Sequence, residues 1–384
     1  MLRYITRQWT VAVPLLALLS LALSWGRELP IVLVIIVAVV LAGAVLAAVH
    51  HAEVIAHRVG EPFGSLVLAV AVTVIEVALI VSLMISGGEQ SASLARDTVF
   101  AAVMITCNGI VGLSLLAGAL RRKVAVFNAE GTGGALATVA TLSTLSLALP
   151  TFTTSAKGPA FSAAQLGFAA VVSLLLYGLF VLTQTVRHRD YFLPVTTEDA
   201  PATADGGAAT TEGAPATADG GAAAAEEHAP RPSARATMIS LGLLLVALVA
   251  VVGLAKVESP VIELAVSSAG LPQAVVGVVI ALLVLLPETI AAVRAAKRDQ
   301  MQISLNLALG SAMASIGLTI PVIAVASIWL TGPLMLGLGA THLVLLGLTF
   351  IVSTLTVVPG RATLLQSGVH LVLFAAFLFL AISP

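Results

Sequence analysis

SLVLAVAVTVIEVALIVSLM, residues 65–84, is a run of 20 residues in which one carboxylate, Glu76, stands among apolar side chains. A helix of about 20 mostly apolar residues can cross roughly 30 Å of hydrocarbon. A second apolar run, ALLVLLPE at residues 281–288, ends on Glu288. Both runs predict membrane-spanning helices with a carboxylate inside the span.

The rest of the chain has the same apolar character. Of 384 residues, 59% are hydrophobic and only 10% are charged, whereas a soluble domain carries about 25% charged residues. Apolar windows bounded by charges, prolines and glycines lie near residues 9–25, 29–50, 62–86, 98–120, 132–150, 162–186, 236–255, 272–295, 302–328, 333–356 and 362–382. The windows are too long for barrel strands. The fold class predicted is an all-α integral membrane protein with about eleven transmembrane helices.

Charge distribution predicts the orientation of this map. The amino terminus and every second loop hold 14 of the 18 Lys and Arg residues. Because cytoplasmic loops hold the excess of these residues, the amino terminus is expected in the cytoplasm and the carboxyl terminus outside. The first window also allows a signal-peptide interpretation, since Arg3 and Arg7 precede an apolar run with the small residues Ala22 and Ser24. Its cleavage would leave ten spans.

Several classes of function are disfavoured by composition. The 18 basic residues are balanced by 19 acidic ones, so there is no general basic face for nucleic acid. The single cysteine, Cys107, excludes an internal disulfide and a cysteine-based zinc site. The spans contain no HExxH, GxSxG or DxxxD motif, which disfavours a membrane enzyme, and no cofactor is expected. A passive cation channel remains an alternative.

A low-complexity segment divides the chain into two halves. PATADGGA occurs at residues 201–208 and again at 215–222, and such a sequence predicts a disordered acidic cytoplasmic linker over residues 187–235. The other predicted units are an N-terminal helix (1–28), a first five-helix repeat (29–186) and a second five-helix repeat (236–384). Because five is odd, the two repeats must enter the membrane from opposite sides, as in many secondary transporters.

Corresponding polar residues support this internal repeat. Glu76 and Glu288 lie in the second span of each half, and the pairs Arg96-Asp97 and Arg298-Asp299 precede the third spans. The third spans share small and polar residues, TCNGIVG at 106–112 and LGSAMAS at 309–315.

The two glutamates are the main candidates for chemistry. An ionised carboxylate inside a span is costly, so such residues face a cavity, pair with another group or serve ion and proton pathways. A protonated glutamate in a helix-to-helix hydrogen bond is the alternative. Neutral oxygens that could complete a cation site, or simply pack, belong to Thr73, Asn108, Asn306 and Ser311. Two carboxylates with neutral oxygens match Ca²⁺ better than zinc or copper, with Na⁺ left open. The same carboxylates are expected to bind the protons.

A second polar motif lies at the cytoplasmic end of the second span. His50, Glu53 and His57 are spaced i, i+3, i+7 along one helix face. Histidines there could sense cytoplasmic pH or hold a regulatory cation. An interfacial polar turn is the alternative.

The stretch from His51 through Met84, with GEPFG at 60–64 and VTVIEV at 72–77, resembles the ChaA-like bacterial calcium/proton antiporters of the calcium:cation antiporter superfamily. Leu286-Pro287-Glu288 with SLNLALGS at 304–311 looks like the second repeat motif of that family. The resemblance implies inverted repeats in a bacterial plasma membrane and exchange of Ca²⁺, or in some members Na⁺ or K⁺, for H⁺. It also implies that Glu76 and Glu288 form the shared ion and proton site. A Na⁺/H⁺ or K⁺/H⁺ antiporter is therefore the nearest alternative. Inorganic cations, protons and the lipid bilayer are the partners expected.

Overall fold

The structure, a computed structural model, describes residues 2–27, 29–60, 63–87, 92–194, 232–329 and 334–384. In this part of the chain the main elements are eleven helices and a two-stranded sheet. The helices are α1 (Leu2–Ser24), α2 (Ile31–Val59), α3 (Phe63–Gly87), α4 (Leu94–Arg122), α5 (Ala129–Phe152), α6 (Ala163–Arg187), α7 (Ala234–Ser268), α8 (Ala274–Lys297), α9 (Met301–Ala326), α10 (Ala340–Val357) and α11 (Leu364–Ile382). The strands are β1 (Val124–Val126) and β2 (Arg361–Thr363).

The prediction of an all-α membrane protein is confirmed, because every predicted window overlaps one helix, although the window at 333–356 starts before its helix, which begins at Ala340. Nine helices within the described ranges are long and apolar enough to cross a membrane, and α1 and α3 contain shorter apolar segments, Trp9–Ser24 and Val70–Ser82. Two helices are longer than predicted. Helix α2 ends at Val59 and α7 at Ser268, beyond the windows that stopped near residues 50 and 255. Charged residues end a hydropathy window, but they do not interrupt helical backbone hydrogen bonds.

The predicted linker lies largely outside the described residues, which stop at 194 and resume at 232. Its first residues differ from the prediction of disorder. Arg189–Phe192 form a short 3₁₀ helix, and the ring of Phe192 packs edge-on against Phe180 with centroids 5.7 Å apart. An aromatic anchor therefore holds the chain against α6 for several residues past the predicted start at 187.

Two backbone pairings join the repeats at opposite ends of the helix bundle. Strand β1, between the third and fourth helices of the first repeat, pairs antiparallel with β2, between the fourth and fifth helices of the second repeat. At the other end, Ala160 forms a bridge with Met335. Ala160 lies between the fourth and fifth helices of the first repeat, and Met335 lies between the third and fourth helices of the second repeat. This exchange of loop positions is what a two-fold relation between inverted repeats produces. Gly60 and Gly270, with φ of 79° and 67°, also end the first helix of each repeat.

Helix α4 lies at the centre of the bundle, where every residue from Asp97 to Gly112 is buried. Small residues allow its neighbours to approach closely. A Cβ atom added at Gly112 would lie 3.0 Å from the Leu371 side chain of α11. Helix α9 packs on α3, α5, α6, α8 and α4 and occupies a similarly central place in the second repeat. The third helices of the two repeats therefore form the core against which α3 and α8 are positioned.

The close approach of α9 to α6 predicts a stability effect. A Cβ atom at Gly317 would lie 2.7 Å from Cβ of Tyr177, a contact that no side-chain rotation relieves. We expect Gly317→Ala to lose about 1–3 kcal/mol of stability through overpacking. The measurement is the temperature at which the purified protein loses its monodisperse size-exclusion peak. Gly310→Ala is the control, since nothing lies within 4 Å of a Cβ there. Equal transition temperatures for the two variants would contradict the prediction.

Candidate cation and proton site

Glu76 and Glu288 lie near the middle of α3 and α8, the second helices of the two repeats. Both are buried, with 3% and 6% of their surface exposed. Thr73, one turn before Glu76, is also buried. Since an ionised carboxylate is costly inside a membrane, each glutamate needs a proton, a cation or a polar partner.

The partner observed for Glu76 comes from the second repeat. Ser315 of α9 donates a hydrogen bond from Oγ to Oε2 of Glu76, with the atoms 2.6 Å apart. Among the described residues, the buried Oε1 of Glu76 and Oε2 of Glu288 have no hydrogen-bond partner. The Glu76 carboxylate also acts electrostatically on Glu288. Two interacting carboxyls, each with an open oxygen, can therefore accept protons or a positive ion.

The donor set is made of oxygen atoms. Within the ranges that the structure describes, no three His, Cys, Asp or Glu side chains are grouped as metal ligands. Carboxylate and hydroxyl oxygens suit hard cations such as Ca²⁺, whereas zinc and copper favour nitrogen and sulfur ligands. This donor set has the chemistry that a hard-cation site requires.

Asn108 lies on a π-helical turn of α4, Ile105–Ile110, and its amide is directed to α10 and α11. Its Nδ2 donates to Oγ1 of Thr349 at 3.0 Å, and its Oδ1 accepts from Nδ1 of His370 at 3.2 Å. The other ring nitrogen of His370 lies 3.2 Å from Oγ1 of Thr356. In this buried network the Asn108 amide bonds to Thr349 and His370, and no hydrogen bond joins it to either glutamate in the described part of the chain. The sequence contained no signal for the partner His370, which stands alone in its span.

The remaining predicted ligands of α9 are not joined to the glutamates by hydrogen bonds in the described part of the chain. Asn306 donates from Nδ2 to the carbonyl of Phe192 at 2.7 Å, and its Oδ1 accepts from Gln302 at 2.8 Å. It therefore connects α9 to the turn after α6. Ser311 is half-buried one turn before Ser315.

The predicted histidine motif lies on the last turns of α2. His50 Nδ1 and Glu53 Oε2 are 4.0 Å apart, and both side chains are nearly half exposed. Glu53 also interacts electrostatically with His57 and with Arg294 of α8. The structure thus brings the three predicted residues together at one end of the bundle. The neighbouring His51 is buried instead, and its Nε2 lies 2.8 Å from the carbonyl oxygen of Thr10.

Two residues of interest were missed by the sequence prediction. Ser315 lies in the small and polar segment of α9, but nothing in that segment distinguished it from Ser311. Glu258 was not singled out from the sequence, yet it is a third buried carboxylate, 3% exposed, in the part of α7 that continues beyond the predicted window. Lys256, two residues earlier, made that segment resemble a loop.

The hydrogen bond from Ser315 predicts an effect on cation affinity. We expect Ser315→Ala to weaken apparent cation affinity about tenfold, because a hydrogen bond to a charged group contributes about 1.5 kcal/mol or more. The measurement is the cation concentration that gives half-maximal exchange. Ser304→Ala is a matched control, since that buried α9 serine donates to Ser114 rather than to a carboxylate. An equal affinity for both variants would show that the Glu76 contact is dispensable.

Sequence comparison identifies similar proteins over almost the whole chain. Residues 29–186 and 239–383 match the family described as sodium/calcium exchanger protein. The candidate ionic transporter y4hA of Sinorhizobium fredii (strain NBRC 101917 / NGR234) is 46% identical over 379 residues, which cover 98% of this chain and 96% of that protein. The sodium-potassium/proton antiporter ChaA of Escherichia coli (strain K12) is 31% identical over 376 residues, 97% of this chain and 95% of that protein.

Solved structures share the fold. The structure of native YfkE superposes with a TM-score of 0.66 at 16% identity, over 98% of this chain and 99% of that chain. The H⁺/Ca²⁺ exchanger CAX gives a TM-score of 0.66 at 14% identity, over 96% and 86% of the two chains. At these identities the likeness concerns the architecture.

Proposed function

The chain belongs to the sodium/calcium exchanger protein family of the calcium:cation antiporter superfamily, and on that premise we propose that it exchanges a cation for protons at Glu76 and Glu288. The observation that carries this proposal is the pair of buried, interacting carboxyls with open oxygens on equivalent helices. The chain is a transporter and not an enzyme. The two glutamates serve in turn as cation ligands and as proton acceptors.

Obligatory exchange follows from the cost of an empty site. Two ionised carboxylates without a counter-charge are expensive to enclose in a low-dielectric interior. Protons or a cation neutralise them, so the carrier changes sides readily only when it is loaded with one or the other. Alternating access of this site to the two faces then couples cation movement to proton movement in the opposite direction.

Ca²⁺ is the first candidate substrate, because one divalent ion neutralises two carboxylates completely and prefers oxygen ligands. The hydroxyl of Ser315 and water would complete its coordination. With the arginine-rich loops in the cytoplasm, an inward proton gradient across a bacterial plasma membrane would drive Ca²⁺ out of the cell. The amino terminus is then cytoplasmic and the carboxyl terminus outside.

Na⁺ or K⁺ is the second candidate substrate. It is favoured by the 31% identity to ChaA, which is named a sodium-potassium/proton antiporter. A monovalent ion would neutralise one carboxylate, and the other would keep a proton. The same two glutamates would then exchange one cation for one proton.

The test is proton release from liposomes that contain the purified protein and a pH indicator, loaded at acid pH. Ca²⁺, Na⁺ and K⁺ are added outside one at a time, and protein-free liposomes serve as the control. We expect Ca²⁺ to alkalinise the lumen, and a protonophore to abolish the accompanying ⁴⁵Ca²⁺ uptake. If Na⁺ or K⁺ alkalinises the lumen and Ca²⁺ does not, the exchanged cation is the monovalent ion and not Ca²⁺. No response to any of the three cations, or current without proton coupling, would overturn proton-coupled exchange.

A further inference from the structure

An open cleft of about 640 Å³ lies between α1, α3 and α7, and neither Glu76 nor Glu288 is among the residues that line it. Apolar side chains line it, among them Leu21 of α1, Trp25 in the turn that follows α1, Val74 of α3 and Val249 of α7. Its volume falls within the range of small-molecule sites. Because it opens on the surface of the bundle within a membrane protein, its apolar lining suits a hydrocarbon chain.

One wall of this α1/α3/α7 cleft is fixed by a close helix contact. A Cβ atom at Gly253 of α7 would lie 2.5 Å from a methyl carbon of Leu21, so the Leu21 side chain of α1 packs directly on this glycine. Another wall is formed by Val74 and Ala78 of α3, which stand two residues before and two residues after Glu76. An occupant would therefore contact the helix that carries Glu76.

The cleft has a positive charge at one end. The Nζ atom of Lys256 lies 5.5 Å from the centroid of the Trp25 ring, a cation–π arrangement, and Trp25 itself lines the cleft. Lys256 is exposed, and it lies one turn after Gly253 on α7. The ring face is an electrostatic partner that accepts no conventional hydrogen bond, so the three N–H donors of the ammonium remain available for an anion. Among the described residues no carboxylate forms an ion pair with Lys256.

We propose that the α1/α3/α7 cleft binds an anionic glycerophospholipid, with an acyl chain along the apolar walls and the headgroup phosphate on Lys256. A bilayer offers few other molecules that combine a long apolar chain with a negative charge at membrane-surface height. The apolar walls alone would accept the acyl chain of any lipid. The ammonium at the end of the cleft is what selects the anionic class.

The experiment uses Trp25 as a built-in reporter. The chain contains three tryptophans, so Trp9→Phe with Trp329→Phe leaves Trp25 as the single fluorophore. This protein is reconstituted in phosphatidylcholine bilayers with increasing fractions of brominated phosphatidylglycerol or of brominated phosphatidylcholine, whose bromines quench nearby tryptophan. We expect half-maximal quenching at an about fivefold lower fraction of the anionic lipid, the preference that one lysine near a membrane surface supplies.

Matched variants assign the preference to the cleft. Lys256→Gln should remove it and Lys256→Arg should retain it. Lys157→Gln, at an exposed lysine between α5 and α6, should leave it unchanged. High salt should weaken it in the single-tryptophan protein that keeps Lys256, a readout that needs no substitution at Lys256. Equal quenching by the two lipids would overturn the proposal. A preference that persists in Lys256→Gln would overturn it as well.

Discussion

Replacing Glu288 by Gln is expected to reduce proton-coupled cation exchange at least about a hundredfold while the protein still folds. Glutamine keeps the volume and one acceptor oxygen but removes the charge that a cation or proton neutralises. Loss of one member of a buried charge group costs about 2–5 kcal/mol, and roughly 2.7 kcal/mol already corresponds to a hundredfold effect. The measurement is the initial rate of cation-induced alkalinisation in liposomes that contain equal amounts of protein.

Glu258→Gln is the matched control for this prediction. Glu258 has as small an exposed fraction as Glu288 and also has an oxygen without a hydrogen-bond partner among the described residues, but it lies in α7, the first helix of its repeat. We expect its replacement to retain most of the exchange rate. If Glu288→Gln exchanged at the wild-type rate, or if both variants lost activity equally, the assignment of transport to the Glu76–Glu288 pair would fail.

The second large effect is the ion gradient that the protein can hold at equilibrium. If one Ca²⁺ exchanges for two protons, a difference of one pH unit should hold about a hundredfold Ca²⁺ gradient, because each proton contributes about 1.4 kcal/mol per pH unit. If one Na⁺ or K⁺ exchanges for one proton, the corresponding gradient is about tenfold. Both cycles are electroneutral, so the final gradient should not change with membrane potential.

This gradient is measured with liposomes of fixed internal and external pH, in which ⁴⁵Ca²⁺ accumulation is followed to its plateau. The membrane potential is set separately with a potassium gradient and valinomycin in the Ca²⁺ experiment. A plateau that moves with the potential would mean that unequal charges cross in each direction, and one Ca²⁺ per two protons would then be wrong.

Much of the fold was predictable because the membrane imposes a simple length rule on apolar runs. Every helix was located from its run, and the odd number of spans per half predicted the inverted relation that the β1–β2 and Ala160–Met335 pairings now display. The ends of α2 and α7 were not predictable from hydropathy. Arg58 lies in the last turn of α2 and Lys256 lies where the apolar window of α7 stops, yet the backbone continues as helix through both residues.

The candidate site was only partly predictable. Glu76 and Glu288 were identified because isolated carboxylates in apolar runs are conspicuous. Their neighbours depend on how α4 and α9 rotate about their axes, which small residues do not encode locally. Ser315, rather than Ser311, therefore contacts Glu76, and the Asn108 amide bonds to Thr349 and His370 on helices far along the sequence.

The pairing of β1 with β2 also bears on how the protein is made. Val124 and Thr363, which are partners in this sheet, are synthesised roughly 10–50 s apart at ordinary translation rates of about 5–20 residues per second. During that interval the backbone groups of β1 have no β2 strand to pair with, and an unpaired strand edge is a template for association with other chains. The strand β1 of the first half can therefore pair only after the ribosome has delivered residues 361–363, close to the end of the chain.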